Sequence, residues 1–340
     1  MPTTMQSWQY TSTKTGLENN LTLAIVPMPQ PKPGQHLVRI LSAALNPVDY
    51  RLSESPLLHR LLFPNPASPG DDFAGTIVVP AAGSSLRAGQ RVFGAVGTIF
   101  MCGSSMSTYG IASTSNVVAM PAGLSMAEAA GITIAGGTAY QAIIPNSKPG
   151  DRVFLNGGSG GVGTFGIQIA KVAGRLVTVS CSGKNVELCK SLGADEVIDY
   201  QTQDVLETLK ASPHRYDLVV DLVANNRALF WQAQEYTSIE AKFVTVSISH
   251  QLSFIWFVAT AQLLPSFLSG AKRRHLTVFG SLKEEDLNQI AEWMVEGKVR
   301  AVIDSEYKFE DVREAYRQLK TGRAKGKIVV NVAPEEESKT

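Results

Sequence analysis

The sequence predicts an α/β chain in two domains, a mainly β domain followed by a doubly wound parallel sheet. Three observations predict it. The stretch up to Ser125 is rich in Pro and Gly and reads as short strands joined by turns. From Ser125 onward, near-continuous apolar runs alternate with helical windows, the pattern of strands buried on both faces. At 340 residues and 44% hydrophobic positions, the chain is long enough to fill two cores.

Taken in order, LTLAIVPMP is an apolar run stopped at Pro27 and Pro29, and HLVRILSAALN alternates before turning wholly apolar. TIVVP and QRVFGAVG are β-branched and bounded by Gly or Pro. MAEAAGITIAGGTAYQAI then opens a helix, with Ser125 as N-cap and Glu128 as its capping-box partner. Six strands follow: RVFLN (152–156), LVTVS (176–180), EVIDY (196–200), DLVVDL (217–222), KFVTVS (242–247) and LTVFG (276–280). The helices VGTFGIQIAKVA, closed by Gly174, and NVELCKSL, closed by Gly193, lie between the early ones. Six such strands are the count of a Rossmann sheet. EEDLNQIAEWMVEG and EDVREAYRQLKTG return to helix and KIVVNV to strand, before a charged end that is expected to fray.

Charge and cysteine usage exclude several classes. With 31 Lys and Arg against 30 Asp and Glu, no net field exists to hold a polyanion, so no nucleic-acid partner is expected. Cys102, Cys181 and Cys189, without a C-x-x-C, can form neither a disulfide framework nor a cysteine-rich zinc lobe. MPTTMQSWQY lacks a basic start before an apolar run, so no secretory leader is expected and a reducing, cytoplasmic setting is.

The most informative segment runs from Asn156 to Gly163. Gly158, Gly160 and Gly163 satisfy G-x-G-x-x-G between a strand and an apolar helix. The first glycine permits a tight turn, the second a close diphosphate and the third close helix–strand packing, with the diphosphate on the helix N-terminus. Gly157 to Gly161 also fits G-x-S-x-G, a hydrolase elbow with Ser159 as nucleophile and Asp221 and His250 or His275 following in chain order. That elbow needs no Gly163 and would sit deeper in an α/β chain.

An NAD site carries an acid at the end of the second strand to bind the ribose 2′-hydroxyl. Here that strand runs into Ser180, Cys181, Ser182, Gly183 and Lys184, with no acid. Hydroxyls and a cation suit a 2′-phosphate, so NADPH is the expected cofactor. Ser182 also reads as a helix cap and Lys184 as a solvated first-turn residue.

The chain resembles the zinc-free quinone oxidoreductase branch of the medium-chain dehydrogenase/reductase superfamily, including its chloroplast-envelope, alkenal/oxoene-reductase and reticulon-interacting members. The resemblance rests on Asn46-Pro47-Val48-Asp49, PGDDFAGTI, AGQRVFG, ITIAGGTAYQAI, KPGDRVFLNGGSGGVGTFGIQIAK, SLGADEVIDY, VRAVIDSEYKFEDVREAY and GKIVVNV. It implies a GroES-like catalytic domain over 1–126 and 281–340, a Rossmann domain over 127–280, and NADPH in the cleft. It implies Asn46 near the nicotinamide and substrate, and Thr138 near the carboxamide. The loop Gly158, Ser159, Gly160, Gly161, Val162 and Gly163, with Val223, would hold the cofactor. Ser182, Lys184 and Tyr200 would surround the 2′-phosphate and Lys327 would close over the cofactor, although Tyr200 reads equally as an amphipathic strand-end residue.

Zinc-dependent relatives place Cys where Asn46 stands and a His-Glu pair where this chain has Asp71-Asp72. The histidines 36, 59, 214, 250 and 275 lack ligand spacing, so no metal is expected. Without zinc, alcohol oxidation is unattractive, whereas hydride addition to a conjugated carbonyl or a quinone needs orientation, donors for the developing oxyanion and exclusion of water. Tyr50 is the candidate proton donor or a wall residue, and Asp49 is either catalytic or the holder of a backbone turn. A low-turnover NADP-binding protein is the alternative function. The apolar segment 251–264, followed by Lys272, Arg273 and Arg274, reads as a covering helix, a homodimer contact or a peripheral membrane contact.

Overall fold

The computed structural model describes residues 2–55, 59–61, 63–97, 104–246, 256–257, 260–261, 272–278, 280 and 282–335. Contacts divide the chain into two compact units. One comprises Met1–Gly137, Ser281–Gly297 and Ala301–Thr340; the other comprises Thr138–Gly280 with Lys298–Arg300.

The first unit begins with the strands β1 (Thr4–Gln9) and β2 (Thr22–Pro27), an antiparallel pair. It continues with β3 (Gln35–Ala44), β4 (Asp72–Val79), β5 (Arg91–Ala95), β6 (Tyr109–Ser113) and β7 (Val117–Ala119). β3 is the spine, paired with β4 along one edge and with β6 along the first half of the other. From Ile40 to Ala44 every one of its residues is buried.

The second unit holds β8 (Arg152–Asn156), β9 (Leu176–Cys181), β10 (Glu196–Asp199), β11 (Tyr216–Asp221), β12 (Thr237–Thr245) and β13 (Arg274–Thr277). All pair in parallel, in the order β10-β9-β8-β11-β12-β13. In chain order that is 3-2-1-4-5-6, the doubly wound Rossmann arrangement, whose ligand crevice lies where the order reverses between β8 and β11. Phe154, Tyr216, Phe230, Tyr236 and Phe243 form one of its aromatic cores. The edge strand β13 starts two residues before the apolar run LTVFG. Exposed Arg274 and buried His275 open it, and neither carries an apolar signal.

The chain then returns to the first unit with β14 (Ile303–Lys308) and β15 (Lys327–Asn331). β15 pairs antiparallel with β3, Val329 opposite Ala44, so both chain ends build one seven-stranded sheet, β14-β15-β3-β4-β5-β7, with β6 paired to β3. Trp8, Tyr10, Phe73, Phe309 and Tyr316 lie in its core. The helix Met126–Ile143 starts as its capping box requires: Ser125 N–H donates to Glu128 Oε2 at 2.9 Å and Glu128 N–H to Ser125 Oγ at 3.3 Å.

Among the described residues no helix is long and apolar enough to cross a membrane. Of the apolar segment 251–264, Trp256, Phe257, Thr260 and Ala261 are described. Phe257 is buried against Phe230, ring centroids 5.8 Å apart, and Trp256 is exposed. The rest of that segment, His250, Cys102 and the charged end at 336–340 lie outside the described residues.

Candidate functional site

In the second unit the glycine loop is built on the ends of the three middle strands. Each apolar run stops on a buried polar residue: Asn156 on β8, Ser180 on β9 and Asp221 on β11. Ser180 Oγ donates to Asn156 Oδ1 at 2.6 Å, and Asn156 Nδ2 donates to Asp221 Oδ1 at 2.8 Å. Gly157 N–H reaches Ser180 Oγ at 3.1 Å, while the N–H groups of Val223 and Ala224 reach Asp221 Oδ1 at 3.1 and 2.9 Å. Burial pushes the Asp221 carboxyl up, and these donors oppose the shift. The network fixes the start of the loop after β8 and the turn after β11 against one another, at the point where strand order reverses.

Steric tests separate the loop's glycines. A Cβ on Gly163 would lie 2.2 Å from the Gly157 carbonyl oxygen, and one on Gly158 would lie 2.8 Å from Val179 Cβ. Both glycines are therefore needed by the protein's own packing. Among the described residues, a Cβ on Gly160 would meet nothing nearer than Gly157 O at 3.9 Å. Gly160 is the N-cap of the helix Gly161–Val172 and has no side-chain cap, so packing does not explain the missing Cβ there.

Three loops meet at this edge. Asn185 Nδ2 donates to Ser159 Oγ at 2.9 Å, tying the glycine loop to the loop of Ser182 and Lys184. Tyr200 N–H donates to Cys181 O at 3.1 Å, and Gly183 N–H to Gln201 Oε1 at 3.2 Å, adding the loop after β10. Ser182 is buried, while Lys184 and Tyr200 are exposed. Asp199 also reaches this edge: a Cβ on Gly183 would lie 2.5 Å from its Oδ2. Thr138, buried, faces Gly280, whose Cβ would lie 2.5 Å from Thr138 Oγ1. Val223 covers Gly157, its Cγ2 lying 2.8 Å from where a Cβ there would stand.

The hydrolase arrangement does not form among the described residues. Ser159 is bonded to Asn185, and Asp221 to Asn156 and backbone amides. His275 is buried among Phe230, Phe243 and Phe257 with Nε2 on Thr245 Oγ1 at 3.0 Å, and burial lowers its pKa to about 4. Its Nδ1 has no hydrogen-bond partner, so no carboxylate orients the ring.

The first unit holds a buried polar cluster around Asn46, which precedes the short helix Pro47–Arg51. Asp49 Oδ2 accepts from Asn46 N–H at 2.9 Å and from the Tyr316 hydroxyl at 3.3 Å, so Asp49 does hold the backbone turn. Burial first, and then the neighbouring Asp72 carboxyl, push Asp49 up to about 7, against the pull of the Asn46 N–H, Lys327 and Tyr316. Its Oδ1 is buried without a partner. Lys327 Nζ lies 2.6 Å from Asn46 Oδ1, 3.1 Å from Leu45 O and 3.3 Å from Asp72 Oδ2. Asn46 Nδ2 donates to the same Asp72 oxygen at 2.8 Å. Tyr50, half-buried against the core, carries the Lys320 ammonium 5.6 Å from its ring centroid, and Lys320 in turn pairs with Glu18 and Glu54. Among the described residues no three His, Cys, Asp or Glu side chains converge as a metal set.

Residues 32–148 match the family of the alcohol dehydrogenase GroES-like domain, and residues 192–330 match the zinc-binding dehydrogenase family. The trans-enoyl reductase pgmF of Aspergillus terreus is 42% identical over 98% of this chain and 97% of its own. The chain belongs to the medium-chain dehydrogenase/reductase superfamily. The chloroplastic quinone oxidoreductase QR1 of Triphysaria versicolor is 31% identical over 90% of this chain and 92% of its own. Among solved structures, the quinone oxidoreductase of Coxiella burnetii superposes with a TM-score of 0.84 at 26% identity, over 97% of this chain and all of that one.

Members of this superfamily are oxidoreductases that bind a nicotinamide dinucleotide, and the second unit fits one. The open space at Gly160, the uncapped helix N-terminus behind it and the reversal of strand order coincide. The sequence alone points to the glycines, Ser182, Lys184 and Tyr200. It misses Asn156 and Ser180, although each visibly ends an apolar run on a polar residue. Asp72, Tyr316 and Asp199 are missed too, because each acts through partners far away in sequence or on another strand.

Proposed function

We propose that the protein is an NADPH-dependent, zinc-independent reductase that transfers hydride to the C=C of a conjugated carbonyl or to a quinone, with the first unit as its catalytic domain and the second as its dinucleotide domain. The observation that carries this reading is the 42% identity to a trans-enoyl reductase along 98% of the chain. The dinucleotide-shaped loop at Gly158–Gly163 supports it.

When bound, the nicotinamide supplies the hydride. The chain's own residues bind and orient. The first-turn amides of Gly161–Val172 take the diphosphate, with Ser159 Oγ held aside by Asn185. Lys184, Ser182 and Tyr200 take the 2′-phosphate, Val223 walls the loop, and Thr138 takes the carboxamide. Asn46 and Tyr50 border the reacting carbons. As hydride adds at the β-carbon, charge moves to the carbonyl oxygen, and the proton comes from solvent or the Tyr50 hydroxyl. The same reading places the enzyme in the cytoplasm and gives segment 251–274 a homodimer or peripheral membrane contact.

A panel of enones, alkenals, enoyl thioesters and quinones, followed by NADPH oxidation, tests the proposal. Turnover of conjugated acceptors with simple secondary alcohols inert is expected. Efficient alcohol oxidation would refute it, and tight NADPH binding without any turnover would make the protein a dinucleotide-binding module.

A further inference from the structure

The side-chain amide of Asn46 is held by two groups that can each bind only one of its ends. Lys327 Nζ is purely a donor and lies 2.6 Å from Oδ1. Asp72 Oδ2 is an acceptor and lies 2.8 Å from Nδ2. Lys327 and Asp72 also pair with one another at 3.3 Å, exposed by only 2% and 0%. Asp72 is itself fixed, because its other oxygen accepts the Ile134 N–H at 3.1 Å. Burial pushes the Asp72 carboxyl up, and the three donors that converge on it, one of them an ammonium, oppose that shift. A flipped amide would set Nδ2 against the ammonium and Oδ1 against the carboxylate, so one orientation alone is allowed. The second Nδ2 hydrogen has only a 3.4 Å contact with Ala44 O, too long to hold it firmly.

We propose that Asp72 and Lys327 are positioning residues that lock the Asn46 amide so that its second Nδ2–H, leaving its long contact with Ala44 O, is a preset donor for the carbonyl oxygen of the substrate. The inference rests on the proposed reductase function and on Asn46 bordering the reacting atoms. It gives Lys327 a role behind Asn46 instead of on the cofactor. A preset donor is worth most where charge develops, because no reorganisation is needed as the oxygen becomes anionic. Acceptors whose reducible bond is conjugated to a carbonyl therefore benefit, and the benefit falls on kcat more than on KM.

The test is a double-mutant cycle between Asn46→Ala and the paired change Asp72→Asn with Lys327→Met, which removes both charges together and leaves no lone buried ion. Enone reduction, NADPH affinity by fluorescence titration and the thermal midpoint are measured on each variant. Asn46→Ala and the paired variant should each lower kcat about ten- to a hundredfold, with NADPH Kd within about threefold. Combining them should add no further loss, since both remove the same oriented donor. Multiplying effects, or a weakened NADPH Kd in the paired variant, would overturn the positioning role. If Asn46→Ala lowers kcat and the paired variant does not, the lock is wrong while the reductase reading stands; if Asn46→Ala leaves kcat intact, the role of Asn46 itself fails. Should the paired variant not fold, Lys327→Arg keeps the ion pair but moves the cation: a lower kcat at unchanged NADPH Kd supports the lock, and an unchanged kcat overturns it.

Discussion

Replacing Gly160 and Gly163 by alanine, one at a time, separates a glycine kept for a ligand from one kept for the fold. At Gly160 the backbone has φ −82°, which alanine adopts freely, and among the described residues the new Cβ meets nothing nearer than 3.9 Å. The folding cost is then that of an alanine N-cap, below about 1 kcal/mol. At Gly163 the new Cβ would stand 2.2 Å from one backbone oxygen and 2.7 Å from a backbone carbon, neither of which can swing aside. Overpacking of this kind costs about 1–3 kcal/mol, so the thermal midpoint should drop by several degrees. A methyl at Gly160 instead fills the space where a diphosphate would come closest. Losing one charge-assisted hydrogen bond there costs about 1.5–3 kcal/mol, or about ten- to a hundredfold in NADPH Kd. Fluorescence titration with NADPH and thermal unfolding, run on both variants, read the two effects separately. If Gly160→Ala binds NADPH like wild type, the space at Gly160 is not the diphosphate site and the loop's glycines serve packing alone.

Three further outcomes follow from the same geometry. Lys184→Ala should weaken NADPH by about ten- to a hundredfold and leave NADH nearly unchanged, read as the ratio of their kcat/KM values; an unchanged ratio removes the 2′-phosphate from this loop. Ser159→Ala should keep activity within a few-fold, because its hydroxyl is bonded to Asn185 and a dinucleotide loop uses its backbone amides more than its hydroxyl, and labelling of Ser159 by a fluorophosphonate would contradict this. Asp49, raised from 3.8 to about 7 chiefly by burial, favours the neutral acid in the folded state. Its contribution to stability is thus full below its unfolded value and is lost as pH rises through about 7. Asp49→Asn should flatten the decline of the thermal midpoint between about pH 4 and 7, and an identical slope in the variant would show that Asp49 does not titrate there.

What can be read from the chain alone depends on how far apart the interacting residues lie. The parallel sheet is legible because a strand buried on both faces needs an unbroken apolar run, as in Val153–Leu155 and Leu218–Val220. The glycine loop is legible because its steric demands fall within one turn, Gly163 against Gly157. Lys184 stands out as a candidate cofactor residue from its place after the second strand, but Asp199 does not, because it reaches Gly183 from the strand beyond. The Asn46 cluster is the least legible. Asp72 reads as one of two acids after Gly70, Tyr316 as part of an amphipathic helix, and Lys327 as a cation opening a strand. Only the antiparallel pairing of β15 with β3, which puts Leu45 N–H on Ile328 O at 3.0 Å, carries the Lys327 ammonium to a residue 281 positions away. A buried charge looks like a surface charge until its partner is located, and removing that partner leaves an ion costing several kcal/mol. The sheet built from both chain ends therefore does more than complete the pairing of β3: it delivers the Lys327 ammonium to Asn46 and Asp72, so a change that loosens β15 breaks this cluster together with the sheet.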